Sequence, residues 1–107
     1  MSNPTYAQLN IGRNIGGKPM SDKRWQDFIL RASSALSIAA RGGDNDLVAL
    51  VDNCEVHLGT GEWQGVAEES AHISLYNADG FYALLLEIMA GKLADMFDQD
   101  LVAVVTN

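Results

Sequence analysis

The 107-residue sequence predicts an α+β fold in which two helices lie on one face of a four-stranded antiparallel sheet. Three observations carry that expectation. Apolar and polar residues alternate over residues 5–11 and through most of 68–77, apolar residues recur every three or four positions in two longer stretches, and glycine and proline clusters separate these segments.

In the first strand Ala7, Leu9 and Ile11 share one face, and Tyr6, Gln8 and Asn10 the other. Gly12, Gly16, Gly17 and Pro19 end it, and Ser21 or Asp22 is placed to cap the helix that follows. Trp25, Phe28, Ile29, Ala32, Ala35, Leu36 and Ala39 form the buried stripe of that helix, which stops at Arg41-Gly42-Gly43. Residues 47–56 read as a second strand, followed by a long hairpin connection marked by Gly59, Gly61 and Gly65. The third strand, 68–77, directs Ala71, Ile73 and Leu75 inward and Ser70, His72, Ser74 and Tyr76 outward. Asn77 or Asp79 then caps a second helix with a stripe of Phe81, Leu84, Leu85, Ile88, Leu93, Met96 and Phe97, leaving the side of Tyr82 and Leu86 exposed. Residues 101–106 form a closing β-branched strand. The order βαββαβ is the split β-α-β, ferredoxin-like plan, with strands one and three expected as a parallel central pair. Tyr6, Gln8, Asn10, Ser70, His72, Ser74 and Tyr76 would then meet on the face the helices leave open, where water, a second copy or a small ligand could cover them.

Residues 1–107 suit one domain, with 48% hydrophobic and 20% charged residues, and are too few for a dehydrogenase, kinase or barrel enzyme. The longest apolar run, 83–86, is far below the roughly 20 residues of a membrane span, and the opening residues lack a signal-peptide pattern. With Cys54 as its single cysteine, the chain is expected in the host cytoplasm. The net charge is −7, divided unevenly: residues 1–41 carry +4 and residues 42–107 carry −11. So acidic a molecule repels phosphate, which argues against direct nucleic-acid binding. It favours a basic protein partner.

The run Gly12 to Gly17-Lys18 matches the spacing of a phosphate loop, but Pro19 stands where a magnesium-binding hydroxyl is needed. A glycine-rich turn is the simpler reading, with anion binding by Arg13 and Lys18 as the alternative. Cys54 and His57 fall on opposite faces of a strand, so they do not converge on a metal, although His72 could join His57 if it lay across the hairpin. No metal or cofactor is expected. His72 with a nearby carboxylate is the one conceivable acid-base group, and catalysis ranks last.

Trp63, at the tip or shoulder of the hairpin and flanked by Glu62, Glu68 and Glu69, either anchors an interface or folds back over the small core. With Asp98 and Asp100 these acids form a candidate surface for docking on a basic partner.

The stretch Leu9-Asn-Ile-Gly-Arg-Asn-Ile-Gly-Gly-Lys-Pro-Met-Ser-Asp-Lys-Arg-Trp25, with Phe28, resembles the opening of small bacteriophage proteins, especially those of actinobacteriophages. Trp63-Gln-Gly-Val-Ala-Glu-Glu-Ser70 suits the same group. The resemblance implies a ferredoxin-like fold and brings no active-site residues. It also suggests an accessory protein that binds a host protein, for instance an inhibitor of a nucleic-acid-handling or defence complex of the anti-CRISPR kind. The alternative is a homodimeric domain binding a small molecule on the open sheet face.

Overall fold

A computed structural model describes residues 3–41 and 54–107. Strand β1 (Tyr6–Gly12) leads into a small hairpin of β2 (Asn14–Ile15) and β3 (Lys18–Pro19). Helix α1 (Asp22–Ala40) follows, then β4 (Glu55–Trp63), β5 (Val66–Tyr76), helix α2 (Ala83–Met96) and β6 (Ala103–Thr106). The main sheet has the order β4-β5-β1-β6, and every neighbouring pair is antiparallel. The central pair, β1 and β5, therefore runs antiparallel, which corrects the parallel pairing expected from the sequence. With β5 between them and antiparallel to both, β1 and β4 share one direction, so the tight β4–β5 hairpin must return β5 against β1.

Strand alternation is obeyed on both central strands: Ala7, Leu9, Ile11, Ala71, Ile73 and Leu75 are buried against the helices. Above them Trp25, Phe28, Ala32, Ala35, Leu36 and Ala39 of α1 interleave with Leu86, Ala90, Leu93 and Ala94 of α2. The rings of Phe28 and Phe97 stack at 4.3 Å, and Trp25 meets Phe28 edge-on at 6.1 Å.

Ser21 caps α1, its Oγ accepting from Arg24 N at 3.2 Å. The second helix departs from expectation. Its N-cap is Tyr82, without a side-chain bond, whereas Asn77 is spent on the preceding turn. Asn77 Nδ2 donates to Ala40 O at 2.7 Å and Gly80 O at 2.9 Å, and Tyr82 N donates to Ala39 O at 2.9 Å. Two carbonyls at the end of α1 thereby gain partners from the turn that leads into α2. The buried stripe of α2 is also rotated from the predicted one: Leu86 is fully buried, while Leu84, Ile88 and Met96 are exposed. Tyr82 is exposed as expected.

The β4–β5 connection is short. Gln64 (φ 52°) and Gly65 (φ 81°) alone form the turn, a pair of left-handed residues suited to a two-residue hairpin. Gly59 and Gly61, expected in a long loop, lie inside β4 opposite Ser70 and Glu68. Of the predicted strand 47–56, residues 47–53 lie outside the described residues. Among the described residues no helix is long and apolar enough to cross a membrane.

Candidate functional site

The open face of the sheet is built from one parity of each strand. Register places Tyr6 opposite Tyr76, Gln8 opposite Ser74, Asn10 opposite His72 and Gly12 opposite Ser70, with His57 on the far side of His72. All seven residues expected on this face are on it. Ser74 is nevertheless buried between Gln8 and Glu55 rather than free. The Tyr6 hydroxyl donates to Gln8 Oε1 at 2.5 Å, and Gln8 Nε2 donates to Asn10 Oδ1 at 2.6 Å, so β1 carries a continuous polar row. At its end the Tyr6 and Tyr76 rings pack at 4.7 Å.

At the other end of the row the face deepens into a cleft of about 570 Å³. Asn10, Gly12, Ser70, His72 and Ala103 line it from the sheet, and the β2–β3 turn, the β4–β5 turn and the segment 98–101 supply further lining. Three carboxylate residues, Glu68, Asp98 and Asp100, line this cleft, and neither lysine nor arginine does. Its field therefore favours a cation.

Glu68 crosses from β5 over Gly12, and its Oε2 accepts from Asn14 N at 2.8 Å. From the opposite side Gln99 Nε2 donates to Asn14 O at 3.1 Å and to Phe97 O at 3.3 Å. Both backbone polar groups of Asn14 are thus held, one by the sheet and one by the segment after α2, which fixes this rim of the cleft. Gly12 carries a sequence signal as a break in alternation. Gln99 and Asn14 carry none, because they become neighbours only when distant segments meet.

Arg13, read from the sequence as a candidate anion ligand, is turned into an internal clamp. Its Nη2 reaches Asp22 Oδ1 at 2.5 Å, its Nη1 reaches Glu69 Oε2 at 2.7 Å, and its Nε donates to Met20 O at 2.9 Å. The bonds to Asp22 and then Glu69 hold its guanidinium above the ordinary arginine value. Lys18 stands exposed on β3.

Three of the candidate docking acids, Glu68, Asp98 and Asp100, gather at the cleft, whereas Glu62 and Glu69 lie outside its lining. Asp98, in the left-handed region (φ 54°), is paired with Arg24 at 3.0 Å. Glu69 is held by Arg13, Glu68 and Asp100 line the cleft, Glu62 is exposed near the end of β4, and Trp63 is the last residue of that strand. Cys54 packs beside α1, its Sγ 3.8 Å from Ser37 Oγ, and burial pushes its thiol up. His57 is the direct cross-strand partner of His72 on the open face, and Glu55 Oε2 is 3.4 Å from its Nε2.

No protein-family model and no curated protein matches the sequence. A solved structure, a phage SAM lyase in the apo state, matches with a TM-score of 0.59 at 21% identity, over 94% of this chain and 78% of that one. At that identity the likeness is one of fold.

Proposed function

We propose that the cleft beside Asn10, Glu68 and His72 binds a small cationic molecule of the sulfonium-nucleoside class, such as S-adenosylmethionine. The observation that carries this reading is a cleft on the face the helices leave bare, lined by Glu68 and Asp100, by Asp98 paired with Arg24, and by neither lysine nor arginine. A sulfonium has no proton to donate and is recognised through charge and fit, which carboxylates fixed in a partly desolvated recess supply. Glu68 is fixed in this way by Asn14. The likeness to a phage SAM lyase supports the choice of cation, and it supports the phage link read from the opening of the sequence. The strand order and the split β-α-β crossover support a ferredoxin-like assignment.

Such a protein would act in the host cytoplasm by occupying or consuming a methyl donor. Docking on a basic host protein is the weaker reading, because Arg13 and Arg24 already hold two of the acids it requires. Calorimetric titration with S-adenosylmethionine and with S-adenosylhomocysteine, which lacks the sulfonium charge, tests the proposal. The first is expected to bind at one site and the second at least about tenfold more weakly, since one tenfold step corresponds to about 1.4 kcal/mol. Equal affinity, or no binding of either, contradicts it. Analysis of the same samples for breakdown products distinguishes binding from turnover.

A further inference from the structure

We propose that His57 and His72 form a chelating pair on the open sheet face for one divalent transition-metal ion of the nickel, copper or zinc class. The two residues are direct partners across the antiparallel β4–β5 pair. Both are exposed, while Ala71 and Ile73 on either side of His72 are fully buried, so the imidazoles share the face opposite the helices. Facing residues of an antiparallel pair hold their Cβ atoms about 4.5–5.5 Å apart. Metal–imidazole bonds are about 2.0–2.1 Å long, so two rings on such a base can reach one ion by side-chain rotation alone.

The pairing is reinforced by its surroundings. His72 lies on a strand paired on both sides, with Asn10 beyond it on β1, so the base of the site is rigid. Glu55 is two residues before His57 on the same face, and its Oε2 lies 3.4 Å from His57 Nε2. That carboxylate supplies negative charge beside the ion, and no lysine or arginine occupies the register positions opposite or flanking the two histidines on this face. Neutral imidazole suits nickel, copper and zinc over magnesium or calcium, which prefer oxygen. Among the described residues no group of three or more histidine, cysteine or carboxylate residues is arranged to hold a metal. The protein would thus supply two imidazole ligands, with water completing the coordination.

The pair would hold the ion whether or not a sulfonium binds, but the two cations would repel each other and so compete. His72 also lines the cleft, so an ion there would border any bound molecule.

The test adds nickel(II) chloride alone to the full ¹⁵N-labelled chain and reads paramagnetic broadening, with calorimetry for affinity. Broadening is expected to centre on residues 55–59 and 70–74, with one ion per chain. Loss of a group that merely orients a ligand already costs about tenfold in metal affinity, so His57→Asn and His72→Asn should each cost at least that. Because both positions are exposed, the variants are expected to fold, which amide spectra verify. Broadening centred on Cys54 or on residues 98–100, or nickel affinity within about twofold of wild type in both variants, would overturn the proposal.

Discussion

The carboxylate of Glu68 occupies the space above Gly12: a Cβ at that position would come within 2.6 Å of Glu68 Oε2. The absent side chain is what lets Glu68 cross β1 and accept the Asn14 amide at 2.8 Å. Gly12→Ala should therefore expel a flexible carboxylate rather than break the backbone. We expect a stability loss of about 1 kcal/mol, the worth of one hydrogen bond, measured by urea denaturation. S-adenosylmethionine affinity should fall together with the Asn14 tie. A variant with unchanged affinity would separate Glu68 from the cleft's function.

Arg13 and Arg31 offer a comparison of a multiply bonded arginine with a singly paired one. Arg13 has a side chain 17% exposed and binds two carboxylates and the Met20 carbonyl, whereas Arg31 pairs with Asp27 across one helical turn with side chains 51% and 47% exposed. Arg31→Gln should cost about 0.3–0.5 kcal/mol. Arg13→Gln should lower the melting temperature visibly more, because it frees two acids and a carbonyl at once. Since the folded state raises the Arg13 value, its contribution is complete at neutral pH and is lost only as pH rises through that raised, strongly alkaline value. Melting curves of both variants at pH 7 check the order.

The rotation of α2 is open to a paired test. Leu86 is fully buried and Leu84 is 62% exposed. Leu86→Ala should cost about 2–5 kcal/mol. Leu84→Ala, on the surface, should stay within about 0.5 kcal/mol. A larger loss for Leu84→Ala than for Leu86→Ala would place the helix in the phase its sequence predicts.

Cys54 supplies a pH-dependent marker. Desolvation raises its thiol above the ordinary value of 9.0, against a smaller lowering by Ser37. A raised value favours the native state below 9.0, and that advantage is lost as pH climbs from 9.0 through the folded value. Its reaction with a disulfide reagent at pH 8 should be slower in native protein than in urea, and stability should decline above pH 9.0 more in wild type than in Cys54→Ser.

These elements also show where sequence periodicity carries information. Alternation along β1 and β5 identifies both faces correctly because each strand is buried on one side only, leaving a single admissible phase. In α2, Leu84, Leu85 and Leu86 are consecutive, so a helical stripe can be drawn through any of them. Packing against α1 then selects Leu86, Ala90, Leu93 and Ala94. The direction of the β1–β5 pair is not encoded within either strand, since it follows from how the intervening elements return the chain. The open-face residues were legible by parity, but the cleft was not: its lining comes from the β2–β3 turn, the β4–β5 turn and residues 98–101, which are remote in sequence. The Gln64-Gly65 turn was hidden because Gln64 is an uncommon residue at positive φ.

Titration of wild type and Glu68→Gln with S-adenosylmethionine at equal ionic strength tests the cationic-ligand account most directly. Removing one fixed negative charge while keeping the side chain's shape should weaken binding at least about tenfold, in line with the 1.5–3 kcal/mol of a charge-assisted bond. Identical isotherms for the two proteins, or a flat trace for wild type, would contradict it.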